Sequence, residues 1–207
     1  MYRKYIKRLF DIIISLVALI VLSPVFLVVA VLVRIKLGSP VIFHQQRPGY
    51  QEKIFKLCKF RTMTEAKDAD GNLLPDADRL TSFGNFLRKT SLDELPELWN
   101  ILKGDMSLIG PRPLLVGYLP YYTKREKLRH SVRPGLTGLA QVSGRNFIAW
   151  DDRLAKDVEY VENLSFMMDI KILIKTVAVV FKKDDVAVET DSVEGFLWDE
   201  RKVREDD

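Results

Sequence analysis

A stretch without charged residues, 12–33, constrains the fold of this chain more than any other part of its sequence. As a straight helix it would extend roughly 33 Å, about the thickness of the hydrocarbon core of a bilayer. Basic residues flank it on both sides: Arg3, Lys4, Lys7, Arg8, Arg34 and Lys36. A cleaved signal peptide fits poorly, because the apolar part is long and no small-residue cleavage site precedes Arg34. The stretch therefore predicts a membrane segment.

Ser23 and Pro24 lie in the middle of this stretch and predict a break in the helix. Proline removes an amide donor and clashes with the preceding turn, so the helix bends there. Positive charge near membrane segments is usually retained on the cytoplasmic side, and here it lies at both ends. A re-entrant helix-break-helix over residues 1–36 satisfies both observations, whereas a kinked spanning helix is the alternative. These patterns alone do not choose between the two.

Charge divides the chain into a basic body and an acidic tail. Residues 184–207 contain ten acids and three bases, whereas residues 1–183 contain 29 bases and 18 acids. A basic surface suits nucleic acid, anionic lipid or phosphorylated small molecules, and charge alone does not separate these partners. The tail predicts a flexible or partner-dependent segment, with Phe196, Leu197 and Trp198 as its apolar contact point.

Few residues are available for thiol or imidazole chemistry. Cys58 is the only cysteine, and His44 and His130 are the only histidines. An internal disulfide is impossible, and a zinc site of paired cysteines or a multi-histidine metal site is disfavoured. Carboxylates and arginines must therefore carry any chemistry.

Residues 37–183 predict one small domain of the α+β class, mostly helical, with one β-hairpin. Strand patterns lie on both sides of a turn signal at residues 47–50, within residues 41–63. A turn at 68–72 and a short strand at 106–109 are also predicted. Helical spacing covers residues 78–88, 95–103, 152–161 and 166–183. The last of these helices is amphipathic, so it suits a membrane interface as well as packing on the core.

Adjacent carboxylates, Asp93 and Glu94, lie at the predicted start of the helix 95–103. Ser91 and Glu94 fit a capping box, and acids in a first turn suit the helix dipole. Capping does not account for Asp93, but taken without the rest of the chain it is favoured over catalysis. Glu97 could support the neighbouring carboxylates from a short distance, but a solvated helix acid is the favoured interpretation. Helical spacing predicts one buried face formed by Leu95, Leu98, Trp99 and Leu102.

Basic residues surround these carboxylates in the sequence. Arg88 precedes them, and Arg112 follows in a rigid turn between two prolines, where a guanidinium suits bidentate phosphate binding. Arg145 lies in the glycine-containing stretch 133–146, whose backbone amides can approach a ligand closely. Lys59 belongs to a lysine-rich strand, although strand lysines more often serve solubility and block edge pairing.

Four motifs taken together resemble the bacterial sugar transferase family, the monotopic phosphoglycosyl transferases. They are KFRTM at 59–63, TSLDELP at 90–96, KGDMSLIGPRP at 103–113 and RPGLTG at 133–138. Their order is unbroken from about residue 5 to residue 183, and the chain looks like a small, single-domain member related to the bacillosamine-type transferases. The acidic tail lies outside the resemblance.

The resemblance implies roles for individual residues. Asp93 would be the nucleophile, and Glu94 its catalytic partner in placing magnesium, the expected cofactor. The re-entrant helix of the family corresponds to residues 12–33, with its bend at Ser23 and Pro24. Substrate phosphate would be bound by Arg88, Arg112, Arg145 and Lys59, and Asp169 is a further candidate.

The resemblance also implies a reaction and a location. Family members transfer a phosphosugar from a UDP-sugar to undecaprenyl phosphate and release UMP, here with an N-acetylated amino sugar expected and with galactose or glucose as alternatives. A covalent aspartyl-phosphosugar would link the two steps. The expected location is the cytoplasmic face of the bacterial inner membrane, with residues 37–183 as the catalytic domain. Membrane lipids but no nucleic acid would be partners, and the protein would be a monomer or a homodimer.

Two other classes of function compete with a transferase. In a membrane-anchored binding or scaffold protein, Asp93 and Glu94 would only cap a helix, and the arginines would contact anionic lipid. A magnesium-dependent lipid pyrophosphatase or phosphodiesterase would release its products into water without an acceptor lipid.

Overall fold

The computed structural model describes residues 1–144, 149–181 and 195–202. Within these residues the chain is an α+β structure with mostly helices, as predicted. A π-helical turn at Tyr2–Ile6 opens the chain. The helices are α1 Lys7–Val21, α2 Ser23–Lys36, α3 Asp76–Arg79, α4 Ser82–Lys89, α5 Glu97–Lys103, α6 Leu139–Gly144, α7 Trp150–Glu162, α8 Phe166–Phe181 and α9 Leu197–Glu200. The strands are β1 Ile42–Pro48, β2 Ile54–Phe60, β3 Ser107–Ile109 and β4 Gly135–Thr137.

The first two helices form a bent pair, and the predicted break is confirmed. The helical segments Tyr2–Val21 and Ser23–Lys36 meet at 64°. Pro24 lies in the first turn of α2, where its missing amide donor costs nothing, and the Ser23 hydroxyl donates to the carbonyl of Ile20 at 2.8 Å. Among the described helices no single one has the length and apolar character to cross a membrane, but this bent pair does when taken together.

The bent pair exposes one apolar surface and joins the rest of the protein with another. Its exposed residues include Leu16, Val17, Ile20, Val21, Leu27, Val28, Val31 and Ile35. On the inner side, Asp11 is buried in α1, and its Oδ1 accepts from the Ser107 hydroxyl at 3.0 Å and from the Leu108 amide at 2.9 Å. Arg8 donates to two carbonyls at the end of α5. The helix pair is therefore tied by polar bonds to the elements that carry the candidate site.

The predicted hairpin is confirmed. β1 and β2 are antiparallel, with Phe43 opposite Lys59 and Arg47 opposite Phe55. Directly opposed residues share a face of the sheet, as do residues two apart on one strand, so Lys59 and Arg47 lie on the same face. Leu57 also lies on this face and packs in a core cluster with Leu98, Ile101 and Met106.

Asn100 joins α5 to this hairpin. Its side chain is fully buried, accepts from the Cys58 amide at 2.9 Å and donates to the Lys56 carbonyl at 2.8 Å. These bonds give the Cys58 amide an acceptor and give the Lys56 carbonyl a stronger donor than the Cys58 thiol, which lies 3.8 Å away. They also bring the start of α5 beside Lys59.

A close contact between the backbones of β3 and β4 holds the turn at residues 110–113, which carries Arg112, in place. β3 and β4 form a short parallel pair, and Gly110 follows β3 directly. A Cβ on Gly110 would lie 2.5 Å from the Arg133 carbonyl oxygen, and one on Gly135 would lie 2.1 Å from the Gly110 nitrogen. Only glycine lets the two backbones approach this closely. The turn at residues 110–113 is thereby held against the stretch 133–138.

Two predicted helices differ from the structure. The stretch 78–88 is divided into α3 and α4, because Leu80 is extended and Thr81 caps α4 by accepting from the Gly84 amide. The helix predicted from residue 95 begins at Glu97, after a 3-10 turn at Leu92–Glu94 and Pro96. The prediction of the buried face of this helix was also wrong in part, because Trp99 is 53% exposed whereas Glu97 is buried.

The short strand at 106–109, the turn at 68–72 and the helix at 152–161 are confirmed as β3, an Asp68-centred turn and α7. The helix predicted over 166–183 is described as far as residue 181. In the acidic tail, residues 195–202 contain α9 and contact the core, while residues 184–194 and 203–207 lie outside the described part.

Candidate active site

The backbone directs Asp93 and Glu94 into the molecule. Ser91 adopts a left-handed conformation with φ of 54°, and the chain then makes the tight 3-10 turn at Leu92–Glu94. The predicted capping box is not formed, because Ser91 makes no side-chain bond to the turn. Glu94 is instead engaged by side chains from two distant elements.

Glu94 is held by two cations. Its Oε1 accepts from Lys59 Nζ at 2.7 Å and from Arg112 Nη2 at 2.7 Å. Burial alone would raise the pKa of Glu94, but the charges of Arg112 and Lys59 outweigh it and hold this pKa well below its usual range. Glu94 is therefore a fixed anion.

Asp93 differs from its neighbour. Its side chain is buried, with the residue only 7% exposed, yet it accepts no hydrogen bond from any described residue. Its nearest ion pair there is with Lys59, at 4.0 Å. Burial raises the pKa of Asp93, Lys59 opposes that shift, and the charge of Glu94 adds to it. A carboxylate that is buried, only weakly paired with the described residues and next to a second carboxylate is suited to act as a nucleophile.

Glu97 is a third carboxylate in the site, and the interpretation of it as a solvated acid was wrong. It is 3% exposed and lies 3.3 Å from Lys59 Nζ. Burial raises the pKa of Glu97 to about 7, with Lys59 opposing the shift and the charge of Glu94 reinforcing it. The available signal was its spacing, since Glu97 lies one helical turn before Ile101, a core residue.

Lys59 connects the three carboxylates. It emerges from the end of β2 beside Glu94 and Glu97 rather than on the outer face of the strand, so a solubility role does not describe it. Burial lowers the pKa of Lys59, but Glu94 and Glu97 reverse that effect and the net shift is upward. Lys59 is thus a fixed cation whose position depends on α5.

Arg112 is the most accessible of the site cations that the structure describes. Its side chain is 44% exposed, while its backbone carbonyl accepts from Arg129 Nη2 at 2.7 Å. The charge of Glu94 raises the pKa of Arg112. This guanidinium is held at one end and open to solvent, as binding of a phosphate requires.

The remaining predicted residues lie in three different settings. Arg88 donates to the Thr62 hydroxyl at 3.1 Å and interacts electrostatically with Asp93, so it borders the site. Arg145 lies outside the described residues. Asp169 is buried elsewhere: it accepts from Lys7 at 2.6 Å and from Tyr2 and Tyr160, and thereby ties the start of the chain to α7 and α8.

Arg47 is a cation that the sequence analysis missed. It lies on the hairpin face that carries Lys59, and its pKa is lowered to about 10 by burial and by the charge of Arg112. Its Nη2 donates to Gln45 at 2.6 Å. The turn signal at residues 47–50 predicts only local structure, and nothing in the spacing of the sequence indicates that Arg47 lies close to Arg112.

The donor set suits magnesium rather than a transition metal. Within the described residues no cluster of three histidine, cysteine or acidic side chains is arranged to hold a metal ion by itself. Magnesium is commonly bound by one or two carboxylates together with substrate phosphates and water. The two bonds that Lys59 and Arg112 donate to Glu94 go to Oε1, so Oε2, with Asp93 next in the chain, fits such an arrangement.

Comparison with known proteins identifies the class. The sequence profile described as "Bacterial sugar transferase" matches residues 2–183. The chain belongs to the bacterial sugar transferase family and is an enzyme of the phosphoglycosyl transferase class.

Three related proteins show what this chain is similar to. The chain is 52% identical over 181 residues to the uncharacterized sugar transferase EpsL of Bacillus subtilis, covering 87% of this chain and 90% of that protein. It is 40% identical over 198 residues to the undecaprenyl-phosphate galactose phosphotransferase of Salmonella typhimurium, covering 87% of this chain and 41% of that protein. It is 41% identical over 181 residues to the UDP-glucose:undecaprenyl-phosphate glucose-1-phosphate transferase of Klebsiella pneumoniae, covering 83% and 39%. The chain therefore spans most of EpsL but about two-fifths of the other two.

Proposed function

We propose that this protein transfers a phosphosugar from a UDP-sugar to undecaprenyl phosphate and releases UMP, in two steps through a covalent intermediate on Asp93. One observation carries the proposal: Asp93 is buried without a hydrogen bond from the described residues, while Glu94 next to it is held by Lys59 and Arg112. Two adjacent carboxylates in such different surroundings suit different tasks.

In the first step, an Oδ of Asp93 attacks the phosphorus that carries the sugar. The new bond joins Asp93 to this phosphorus, the bond from the phosphorus to the bridging oxygen breaks, and UMP leaves with that oxygen. A diphosphate repels an anionic nucleophile, so Arg112 and Lys59 contribute by placing positive charge around the reacting groups.

In the second step, a phosphate oxygen of undecaprenyl phosphate attacks the same phosphorus. The bond to Asp93 breaks, the carboxylate is regenerated, and the product is a lipid-linked diphosphate sugar. Division into two steps lets a water-soluble donor and a lipid acceptor use the same site in turn.

Magnesium is the cofactor that we propose, with Glu94 as its main protein ligand and Asp93 nearby. When bound, it would neutralise negative charge on the transferring and leaving phosphates. Lys59 keeps Glu94 ionised and oriented for this purpose.

The membrane arrangement is part of the proposal. The exposed apolar surface of α1 and α2, their 64° bend and the basic residues at both ends support a re-entrant insertion into one leaflet. Asp11 and Arg8 tie α1 to the site elements, so an inserted helix pair would place the site at the bilayer surface. We propose that this surface is the cytoplasmic face of the bacterial inner membrane, where donor and acceptor meet.

The donor sugar is the least constrained part. The expectation of an N-acetylated amino sugar rests on resemblance alone, whereas two relatives carry galactose and glucose in their names. UDP-galactose, UDP-glucose and UDP-N-acetylated amino sugars are therefore the donors to compare.

The test is product analysis with purified protein in detergent, magnesium, each UDP-sugar and undecaprenyl phosphate. A transferase forms UMP and a lipid-linked diphosphate sugar in equal amounts, and the Asp93→Asn variant forms neither. Release of UMP with free sugar phosphate, and without the lipid product, would indicate a phosphodiesterase instead. Equal activity of the Asp93→Asn variant would remove Asp93 from the chemistry.

A further inference from the structure

The C-terminal segment, residues 195–202, lies beyond the part of the chain that matches the family profile, yet it is packed into the core. Leu197 is 0% exposed. It shares a cluster with Leu114, Tyr118, Tyr122, Trp150 and Leu154. Burial of this leucine by the hydrophobic effect offsets part of the entropic cost of ordering a short segment.

Polar contacts fix the segment on both sides of Leu197. The Gly195 carbonyl accepts from Trp150 Nε1 at 2.9 Å. Arg201 donates two bonds to Glu126, at 2.8 and 3.0 Å, and a further one to Asp151. The paired Arg201 and Glu126 side chains are both largely buried, so this bidentate pair is stronger than a typical surface ion pair.

An aromatic contact adds a third attachment. The Trp198 ring meets the Tyr118 ring edge-on, with centroids 4.9 Å apart. Gly117 packs against the indole ring of Trp198, as shown by the distance of 3.2 Å that would separate a Cβ on Gly117 from this ring. The C-terminal segment therefore covers the 3-10 turn at Val116–Tyr121.

This cluster lies directly behind the turn that carries Arg112. Leu114, two residues after Arg112, packs in the cluster with Leu197. Tyr122, from the same cluster, accepts from Arg129 at 3.3 Å, and Arg129 donates to the Arg112 carbonyl at 2.7 Å. Two routes, one apolar and one polar, thus connect the segment with the backbone of Arg112.

Arg129 links a buried ion pair to the aromatic cluster. It is buried and paired with Asp157 at 2.7 Å, and its bond to Tyr122 depends on the aromatic cluster that Leu197 closes. Removal of Leu197 from the cluster would open a cavity beside Tyr122 and Leu114, and neighbouring side chains relax into such cavities only partially. The expected result is a displaced Arg112 turn in a protein that is still folded.

We propose that the C-terminal segment is a positioning element for Arg112 and thereby sets the affinity of the enzyme for the diphosphate of its nucleotide donor. The proposal rests on the proposed function, in which Arg112 binds donor phosphate. Residues Leu197, Trp198 and Arg201 act through Leu114, Tyr122 and Arg129 and do not touch the substrate. A site displaced by an ångström loses affinity or rate by roughly tenfold to a hundredfold.

The test uses the full chain and binding of UDP with magnesium, measured by titration calorimetry. Leu197→Asp places a charge in an apolar cluster and should release the segment, whereas Leu197→Met keeps the apolar contact and serves as the matched control. We expect Kd for UDP to rise roughly tenfold in Leu197→Asp and to stay within about twofold in Leu197→Met. Amide hydrogen exchange over residues 114–122 should rise in the first variant only.

Two further sets of variants test the proposal if Leu197→Asp does not fold: a milder substitution of Trp198, and an exchange of the charges of Arg201 and Glu126. Trp198→Ala removes the contact with Tyr118 and should raise Kd in the same direction, with Trp198→Phe close to wild type. Arg201→Glu and Glu126→Arg should each weaken UDP binding, and the two together should restore part of it.

Each outcome decides the proposal. Faster exchange over 114–122 with unchanged UDP affinity would show a merely structural contact and overturn it, as would unchanged exchange and unchanged affinity. If the wild type binds UDP but transfers no sugar, the proposed function fails while the effect of Leu197→Asp on UDP affinity still decides this inference. If the wild type does not bind UDP, both fail.

Discussion

Lys59 Nζ lies 2.7 Å from Glu94 Oε1, and the two residues come from elements that are 35 positions apart in the chain. The same ammonium lies 3.3 Å from Glu97 and 4.0 Å from Asp93, so one lysine faces three carboxylates. Such a site is stable only while the hairpin and α5 remain in register. The positions of the charged side chains in the site therefore depend on the packing of α5 on β2.

Replacement of Lys59 by methionine should lower the rate of UMP release about 100-fold to 1000-fold. The change removes one of the two cations that hold Glu94 and the cation that faces buried Glu97, so negative charge in the site is compensated by Arg112 alone among these partners. Lys59→Arg keeps the charge and should retain more activity. The control is Lys53→Met, because Lys53 is exposed and lies beside the hairpin turn. A similar loss of UMP release in this variant would show that the effect comes from general damage to the hairpin.

Glu97 predicts a pH dependence of stability. Its pKa is raised from 4.5 to about 7 in the folded state, so the folded protein holds this proton more tightly than the unfolded chain. This contribution is present in full below pH 4.5 and is lost as the pH rises to about 7. The free energy of unfolding of wild type, relative to Glu97→Gln, should therefore fall by an amount on the order of 3 kcal/mol across this range.

The measurement for Glu97 is urea unfolding in detergent at pH 4.5, 6, 7 and 8, followed by tryptophan fluorescence. The difference from Glu97→Gln should level off above the raised pKa. Glu162→Gln, at an exposed helix position, should show a constant difference. A constant difference for Glu97→Gln as well would mean that the pKa of Glu97 is not raised in the folded state.

Much of the framework follows from local pattern. The helix break follows from Pro24, and the hairpin follows from alternating residues on both sides of the turn at 47–50, since both signals act over a few residues. The burial of Glu97 could not be predicted in this way, because it depends on how α5 docks on β2. Asp169 shows the same limit: its partners Tyr2 and Lys7 are more than 160 positions away.

Asn100→Leu should reduce the free energy of unfolding by about 2 kcal/mol, because it removes the acceptor of the partly buried Cys58 amide and leaves the Lys56 carbonyl with only a weak contact from the Cys58 thiol. Activity should fall as well, since these bonds hold α5 beside Lys59. The comparison is Asn163→Ala, which removes an exposed bond to the Glu159 carbonyl and should cost less than about 1 kcal/mol. Equal losses in the two variants would contradict the role assigned to Asn100.

Because Asp11 joins α1 to β3, we expect the bent helix pair and the elements that carry the candidate site to unfold together. Asp11→Leu removes the acceptor for Ser107 and Leu108 and should lower the midpoint of thermal unfolding in detergent by several degrees, as a loss of about 2 kcal/mol would do. Asp11→Asn keeps an acceptor oxygen and should lie between this variant and wild type. If Asp11→Leu unfolds at the wild-type temperature, the polar attachment of α1 does not contribute to the stability of the fold.

The most direct test of the central claim is the intact mass of the purified protein after incubation with magnesium and a UDP-sugar, without acceptor lipid. Wild type should gain the mass of one phosphosugar, located on Asp93 by peptide mapping, and should lose it when undecaprenyl phosphate is added. Asp93→Asn should gain nothing. A donor that supports transfer to the lipid but leaves no adduct on wild type, even on the time scale of a single turnover, would contradict the account and make the transfer a direct displacement.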